Sequence, residues 1–149
     1  MSHVWEPLLA LGVGVLSAVV PVVNAELAAV AVGSLPTLAA VLSALALALG
    51  QTAGKLVLFE GGRRGSARWE RLRGMPRWVE QSKAALAARR TSVPLVLASS
   101  GIGLPPLAVV SVVAGAAGMG RVEFAALCFI GRAVRFVGLA LSLSWLLPV

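Results

Sequence analysis

PTLAAVLSALALALGQTAGKLVLF, residues 36–59, decides the class of this protein. Pro36 suits the first turn of a helix, where its missing N–H is not needed. No charge follows until Lys55, whose long side chain reaches toward the interface from near the end of the run. At 1.5 Å per residue the stretch spans about 36 Å as a helix, enough for the ~30 Å hydrocarbon core of a bilayer. Residues 36–59 are therefore read as a transmembrane helix, with Gly50, Gln51 and Gly54 in its later half permitting close approach by a neighbouring helix.

The composition outside this run agrees. The chain has 149 residues, 58% hydrophobic and 13% charged, with a mean hydropathy of +0.91. An ordinary soluble domain is roughly 45–50% apolar and about 25% charged. The net charge is +7, and residues 55–90 hold ten Lys or Arg against Glu60, Glu70 and Glu80, so this one stretch carries the whole excess. Such a local basic block argues for a cytoplasmic membrane-facing segment rather than for nucleic acid. Within 61–92, Trp69, Leu72, Val79 and Leu86 recur near helical spacing with Trp78 beside them. This is an amphipathic interfacial connector divided at Pro76, or else a solvated loop.

Two other stretches are apolar but interrupted. Residues 7–34 are broken by Pro21, Asn24 and Glu26. The pieces on either side reach only ~20 Å each, and proline removes a helix hydrogen bond. Residues 93–119 carry no charge but contain Ser99-Ser100-Gly101-Ile102-Gly103-Leu104-Pro105-Pro106, an octet that cannot continue a helix. Each stretch is read as a re-entrant hairpin whose exposed backbone is buried in protein or lines a wet cavity, with Pro21, Gly103, Pro105 and Pro106 at the breaks. Residues 122–147 are again long enough to span, ending at Trp145 as an interface anchor.

The expected fold is thus an all-α polytopic membrane protein: a single domain over 1–149 made of an inverted repeat, hairpin plus transmembrane helix, twice, around the basic connector. Residues 61–92 lie in the cytoplasm and both termini outside. A cleaved leader ending near Val23-Asn24-Ala25 is the competing reading of the N-terminus. It lacks the basic residues that should precede the apolar run, and has Glu6 instead.

Chemistry is concentrated in a few positions. Glu26, Arg132 and Arg135 stand at membrane depth, where an ionised group costs roughly 2.5–3.5 kcal/mol on insertion scales. Arg132 and Arg135 share a helix face at i, i+3. One reading is a salt bridge from Glu26 to one of them. The other is a polar chamber for an anionic group, completed by Asn24 and Gln51, since two arginines against one glutamate leave excess positive charge and the guanidinium fork suits phosphate. Arg121 and Glu123 are expected to be solvated at the start of the last helix. Gly115, Gly118, Gly131 and Gly138 read as close-packing positions, with no nucleotide-loop spacing. The inventory excludes most enzymology: no Asp or Tyr, a single Cys128 in an apolar run, and a single terminal His3. No catalytic residue, cofactor or metal site is expected.

Pro21-Val22-Val23-Asn24-Ala25-Glu26, Gly50-Gln51 with Gly54, and Gly61-Gly62-Arg63-Arg64-Gly65 resemble the first half of DedA proteins, the VTT-domain or SNARE-associated superfamily. Gly103-Leu104-Pro105-Pro106, Ala114-Gly115, Met119, Phe124 and Gly131-Arg132-Ala133-Val134-Arg135-Phe136 look like the second loop and final helix of its small YqaA-like branch. The resemblance runs from about Pro7 to Val137. It implies two facing re-entrant loops and a flippase or scramblase activity that moves phospholipid or undecaprenyl phosphate across the membrane with proton coupling. Glu26 matches the acidic residue after the loop proline, and so takes the proton-coupling role. Two positions depart from the pattern: Gln51 stands where an acidic residue is common, and Leu107 and Ala108 stand where an arginine usually follows the second-loop proline.

The expectation is a lipid-phosphate transporter with Arg132, Arg135, Asn24 and Gln51 around the head group and Glu26 gating. Its partners are membrane lipids with anionic head groups and further copies of itself in a homo-oligomer, and nucleic acid is not among them. A bacterial inner-membrane location is what the resemblance implies, and the use of Arg over Lys, 11 to 2, hints at a GC-rich bacterial genome. The alternatives are a proton-coupled exporter of small cations and a holin-like or assembly protein without transport.

Overall fold

The computed structural model describes residues 5–19, 25–71, 87–103 and 106–146, with residues 77, 81 and 84 as isolated helical positions. Everything described is helical or turn, in six helices and no strand. The helices are α1 (Trp5–Val19), α2 (Ala25–Val32), α3 (Thr37–Arg71), α4 (Arg89–Gly101), α5 (Leu107–Ala116) and α6 (Arg121–Leu146). Two are long and apolar enough to cross a membrane, over Thr37–Ser66 and Arg121–Ser142.

The helix expected over 36–59 continues through the glycine-arginine stretch to Arg71, into the segment read as connector. The cause is local. No proline intervenes between Thr37 and Arg71, Glu60 and Arg64 pair at i, i+4, and Gly62 is buried against the Val112 backbone, so its poor helix propensity is offset by packing. The Trp69, Leu72, Val79 and Leu86 stripe and Pro76 lie outside the residues whose side chains are described.

The interrupted stretches each hold two short helices that are neighbours in space, α1 with α2 and α4 with α5. The first break, around Pro21 and Asn24, lies outside the described residues. The octet 99–106 was expected to be wholly non-helical, whereas α4 runs on through Ser99, Ser100 and Gly101. Serine is tolerated there because the Ser100 hydroxyl donates back to the Leu97 carbonyl, 3.1 Å away, so no polar group is left over. Gly103 then ends the helix. Its φ of 89° is in the left-handed region open to glycine, and its N–H caps the Ser99 carbonyl at 3.1 Å. Pro106 stands at the N-cap of α5, its carbonyl accepting from the N–H groups of Val109 and Val110.

The chain divides into two compact units, residues 1–54 with 129–149 and residues 55–128. In the first unit α1 lies on the early part of α3 with the two backbones in contact. A Cβ on Gly14 would sit 3.1 Å from Gly50 Cα and from Gln51 N. Their seam is lined mostly with small residues, Ala10, Gly14 and Ala18 on α1 and Gly50 and Gly54 on α3, with the Leu47 backbone beside Gly14. The buried set of this unit is Ala10, Ala29, Ala44, Leu47, Ala48, Phe136 and Ala140. The large aliphatic side chains point outward instead: Leu8, Leu9, Leu16, Leu27 and Leu38 are all more than half exposed.

In the second unit α5 lies on the later part of α3, where Gly115 meets the Phe59 carbonyl. Phe59 stacks on Phe124 with ring centroids 4.7 Å apart, and Val96, Leu107, Val110, Val113, Met119 and Cys128 close around them. Val57, Ile102 and Val122 face outward. The first unit therefore buries mostly small residues and leaves many leucines on the surface, whereas the second buries valines, Leu107 and Met119 around its phenylalanine pair.

Candidate functional site

The polar residues of the first unit are held by α1, α3 and α6. Gln51 is 4% exposed, at the α1 seam of α3. Its Nε2 donates to Ser17 Oγ at 2.6 Å, and Ser17 Oγ donates in turn to the Gly14 carbonyl at 3.0 Å. The amide is thus fixed by a two-step relay that ends on the backbone of α1. Its other end is unmatched: Oε1 is shielded from solvent with no hydrogen-bond partner. A lone buried acceptor of this kind is costly unless a donor arrives from a ligand or a water. Two turns earlier on the same face of α3, the fully buried Ser43 hydroxyl also lacks a partner.

Arg132 lies midway along the apolar stretch Arg121–Ser142 of α6 and is half-buried. Its guanidinium carbon stands 5.6 Å from the centroid of the buried Phe136 ring, a cation–π distance. Arg135, also half-buried, follows one turn later. Both belong to the unit that contains Gln51. Glu26 is in the first turn of α2, but its side chain lies outside the described residues, as do Asn24, Pro21 and Pro105. The Glu26 pairing and the Asn24 contribution thus fall beyond what is described, while Gln51, Arg132 and Arg135 belong to one unit. No protein family model, curated protein or solved structure matches the chain.

The second unit holds an ion cluster that the sequence reading did not single out. Glu60 Oε1 accepts from Arg64 Nε at 3.3 Å and from Arg121 Nη2 at 3.0 Å. The sequence leads one to expect Arg121 solvated. Its side chain is largely exposed, yet its tip is anchored. The Glu60 and Arg64 spacing was readable as an i, i+4 helix pair. The Arg121 contact was not, because it joins positions 61 residues apart. Beside the cluster is an open groove of about 410 Å³ lined by Leu56, Phe59, Glu60, Arg64, Arg121, Val122 and Ala125.

Among the described residues, no three His, Cys, Asp or Glu side chains gather to hold a metal ion. Cys128 is buried within the apolar core of the second unit. What the first unit offers chemically is a pair of guanidiniums, an amide acceptor and a few hydroxyls, on helices that are otherwise largely apolar. What the second offers is a pair of guanidiniums over an apolar wall.

Proposed function

We propose that the chain is a polytopic protein of the bacterial inner membrane, of the DedA kind, that carries a lipid phosphate between the two leaflets. The observation that carries the reading is Arg132 with Arg135 at the middle of an apolar helix. Two arginines at the centre of a bilayer cost about 5–7 kcal/mol together on insertion scales. A desolvated cation–π contact of the Phe136 kind recovers up to roughly 2 kcal/mol. An anion bound between adjacent guanidiniums recovers more, by charge-assisted and bidentate hydrogen bonds.

The reversed distribution of side-chain size supports the membrane part of the reading. In water, the first unit's mostly alanine interior with Leu8, Leu9, Leu16, Leu27 and Leu38 on the outside would be unfavourable, since each exposed leucine forgoes about 1.5–3 kcal/mol of burial. In lipid the outward leucines are solvated, and small residues let helices approach closely. Only 28% of the apolar window of α6 is buried within the chain, against 56% for α3, which leaves most of α6 for lipid or a second copy.

In this reading the breaks at 20–24 and 102–106 are the tips of two re-entrant hairpins, residues 61–92 face the cytoplasm, Glu26 takes the coupling proton, and Asn24 joins Gln51 in the chamber. The Gln51 Oε1 acceptor accepts a hydrogen bond from a protonated phosphate or from a water travelling with it. Excess positive charge argues against the cation exporter, because Arg132 and Arg135 repel such a cargo.

The test is leaflet exchange in proteoliposomes, with a fluorescent phospholipid or a polyprenyl phosphate probe. Wild type is expected to exchange the probe, and Arg132→Ala, Arg135→Ala and Glu26→Gln to lose most of that rate. Folded wild type that exchanges neither probe under either direction of pH gradient would overturn the proposal. Retention of the wild-type rate by both arginine variants would overturn the head-group assignment.

A further inference from the structure

The groove in the second unit has the two chemical halves of an amphiphile along its length. Its lining combines the apolar Leu56, Phe59, Val122 and Ala125 with Glu60 and the largely exposed Arg64 and Arg121, which give it a charged rim. We infer that this groove docks a single anionic lipid, its phosphate between Arg64 and Arg121 and the start of its acyl chain along Leu56, Val122 and Ala125. The inference rests on the membrane part of the reading above but not on transport.

Glu60 is what makes the rim a site rather than two loose side chains. Both arginines donate to the same atom, Glu60 Oε1, at 3.3 and 3.0 Å, so their tips converge on one point. Arg64 spends only its Nε on this contact, and its side chain is largely exposed. Arg121 spends one Nη2. The remaining N–H groups can meet a phosphate in the forked arrangement that guanidinium and phosphate share. One carboxylate does not cancel the two cations, and Arg68, exposed one turn beyond Arg64 on the same face of α3, adds a third. Glu123, in the first turn of α6, complements the positive end of that helix.

Depth matches the assignment. Arg64 stands just inside the end of the apolar stretch that closes at Ser66, and Arg121 is the first residue of the other apolar stretch. Both cations are therefore at head-group level if these stretches span. Leu56, two turns inward from Arg64 on α3, lies about 12 Å deeper at 1.5 Å per residue, the level of the upper acyl chain. The wall is firm, because Phe59 is fully buried and stacked on Phe124. A volume of about 410 Å³ takes a phosphate and several methylenes, within the common range for ligand clefts. A free inorganic anion would leave the apolar wall unused, so the lipid is the occupant that fits both halves.

The experiment uses the full chain in detergent, with lipid retention read by native mass spectrometry after addition of dioleoyl phosphatidic acid or dioleoyl phosphatidylcholine. Wild type is expected to retain phosphatidic acid in preference to phosphatidylcholine. The double variant Arg64→Gln with Arg121→Gln is expected to lose about tenfold in retention, the factor that 1.4 kcal/mol represents. Ala125→Trp fills the groove without touching a charge and is expected to lower retention as well, which keeps the test decisive if the double variant does not fold. The Arg64→Lys with Arg121→Lys variant is expected to keep part of it. Unchanged retention in folded Ala125→Trp and in the folded Gln variant would overturn the site. Full displacement of phosphatidic acid by millimolar inorganic phosphate would overturn the lipid as occupant in favour of a free anion. Loss of leaflet exchange in Arg132→Ala with retention intact, or the converse in the groove variants, separates this inference from the transport proposal.

Discussion

Gly50→Ala is expected to destabilise the first unit by about 2–4 kcal/mol, whereas Gly12→Ala, a few residues from the same seam, is expected to be neutral or stabilising by up to ~1 kcal/mol. The added Cβ at Gly50 runs into the Leu11 carbonyl and comes within 2.9 Å of Val15 N and 3.1 Å of Gly14 Cα. All three are backbone atoms, so no side-chain rotation relieves the overlap and α1 must move away from α3. Overpacking of this sort costs about 1–3 kcal/mol, and a gap of 0.5–1 Å along the seam forfeits a quarter to a half of each dispersion contact there. The Gln51 to Ser17 bond crosses the same seam, and its loss adds about 0.6 kcal/mol, the average for interhelical hydrogen bonds in membranes. A Cβ on Gly12 meets nothing within 4 Å, so only the helix-propensity gain remains. The assay is reversible unfolding in mixed micelles under an SDS titration, followed by helical ellipticity, for wild type and both variants. Equal effects of the two substitutions, or a stabilising Gly50→Ala, would refute the close backbone contact between α1 and α3.

In the second unit, Phe124→Ala is expected to cost about 3–5 kcal/mol through the cavity it opens beneath the fully buried, stacked Phe59, read in the same SDS titration. Glu60→Gln is expected to cost less than about 1 kcal/mol, since the arginines it holds are exposed; a loss of several kcal/mol would mean that the cluster is structural. Cys128 is buried in the apolar core, so maleimide labelling is expected to be slow in folded protein and complete after denaturation, and fast labelling of the folded chain would contradict that packing. Gln51→Leu, which removes the orphan acceptor, is expected to leave stability within about 1 kcal/mol of wild type while lowering the rate of leaflet exchange; an unchanged rate would remove Gln51 from the transport path.

Much of the helical layout was legible because hydrocarbon length is a coarse and strong signal. The run from Pro36 and the run from Val122 needed only to be counted against the thickness of a bilayer. The end of α3 was not legible, because Arg63, Arg64, Arg68 and Arg71 read as a connector when taken as charges. What keeps them helical is the absence of proline before Pro76 and the fit of Gly62 against Val112, a contact between residues far apart in sequence. The same holds for Ser99-Ser100-Gly101, which looks like a break by residue type and is helix because Ser100 satisfies itself on Leu97. Gln51, Arg132 and Arg135 stood out as polar groups in apolar runs. Ser17 did not, since a lone serine among Leu and Val carries no signal until its partner on another helix is known.

On the proposed membrane reading, the position of Gln51 is best understood from what lipid withholds. In water, α1 would be driven onto α3 by burial of its leucines, and register would follow from their shapes. In a bilayer Leu8, Leu9 and Leu16 are equally content facing lipid tails, so nothing hydrophobic selects one register of α1 over another. Register is then set by the small residues Ala10, Gly14 and Ala18 against Gly50 and Gly54, which permit the approach, and by the relay from Gln51 through Ser17 to the Gly14 carbonyl. An ionised carboxylate at position 51 can accept from Ser17 but cannot donate to it, so Ser17 would have to turn its hydroxyl away from the Gly14 carbonyl and the relay to the α1 backbone would be broken. An amide keeps the direction of the relay and still leaves one carbonyl oxygen without a partner. An amide at position 51 therefore suits the serine opposite it. Exchanging Ser17→Ala should cost register and stability in this chain, yet cost little in a Gln51→Leu background, where the relay has already gone.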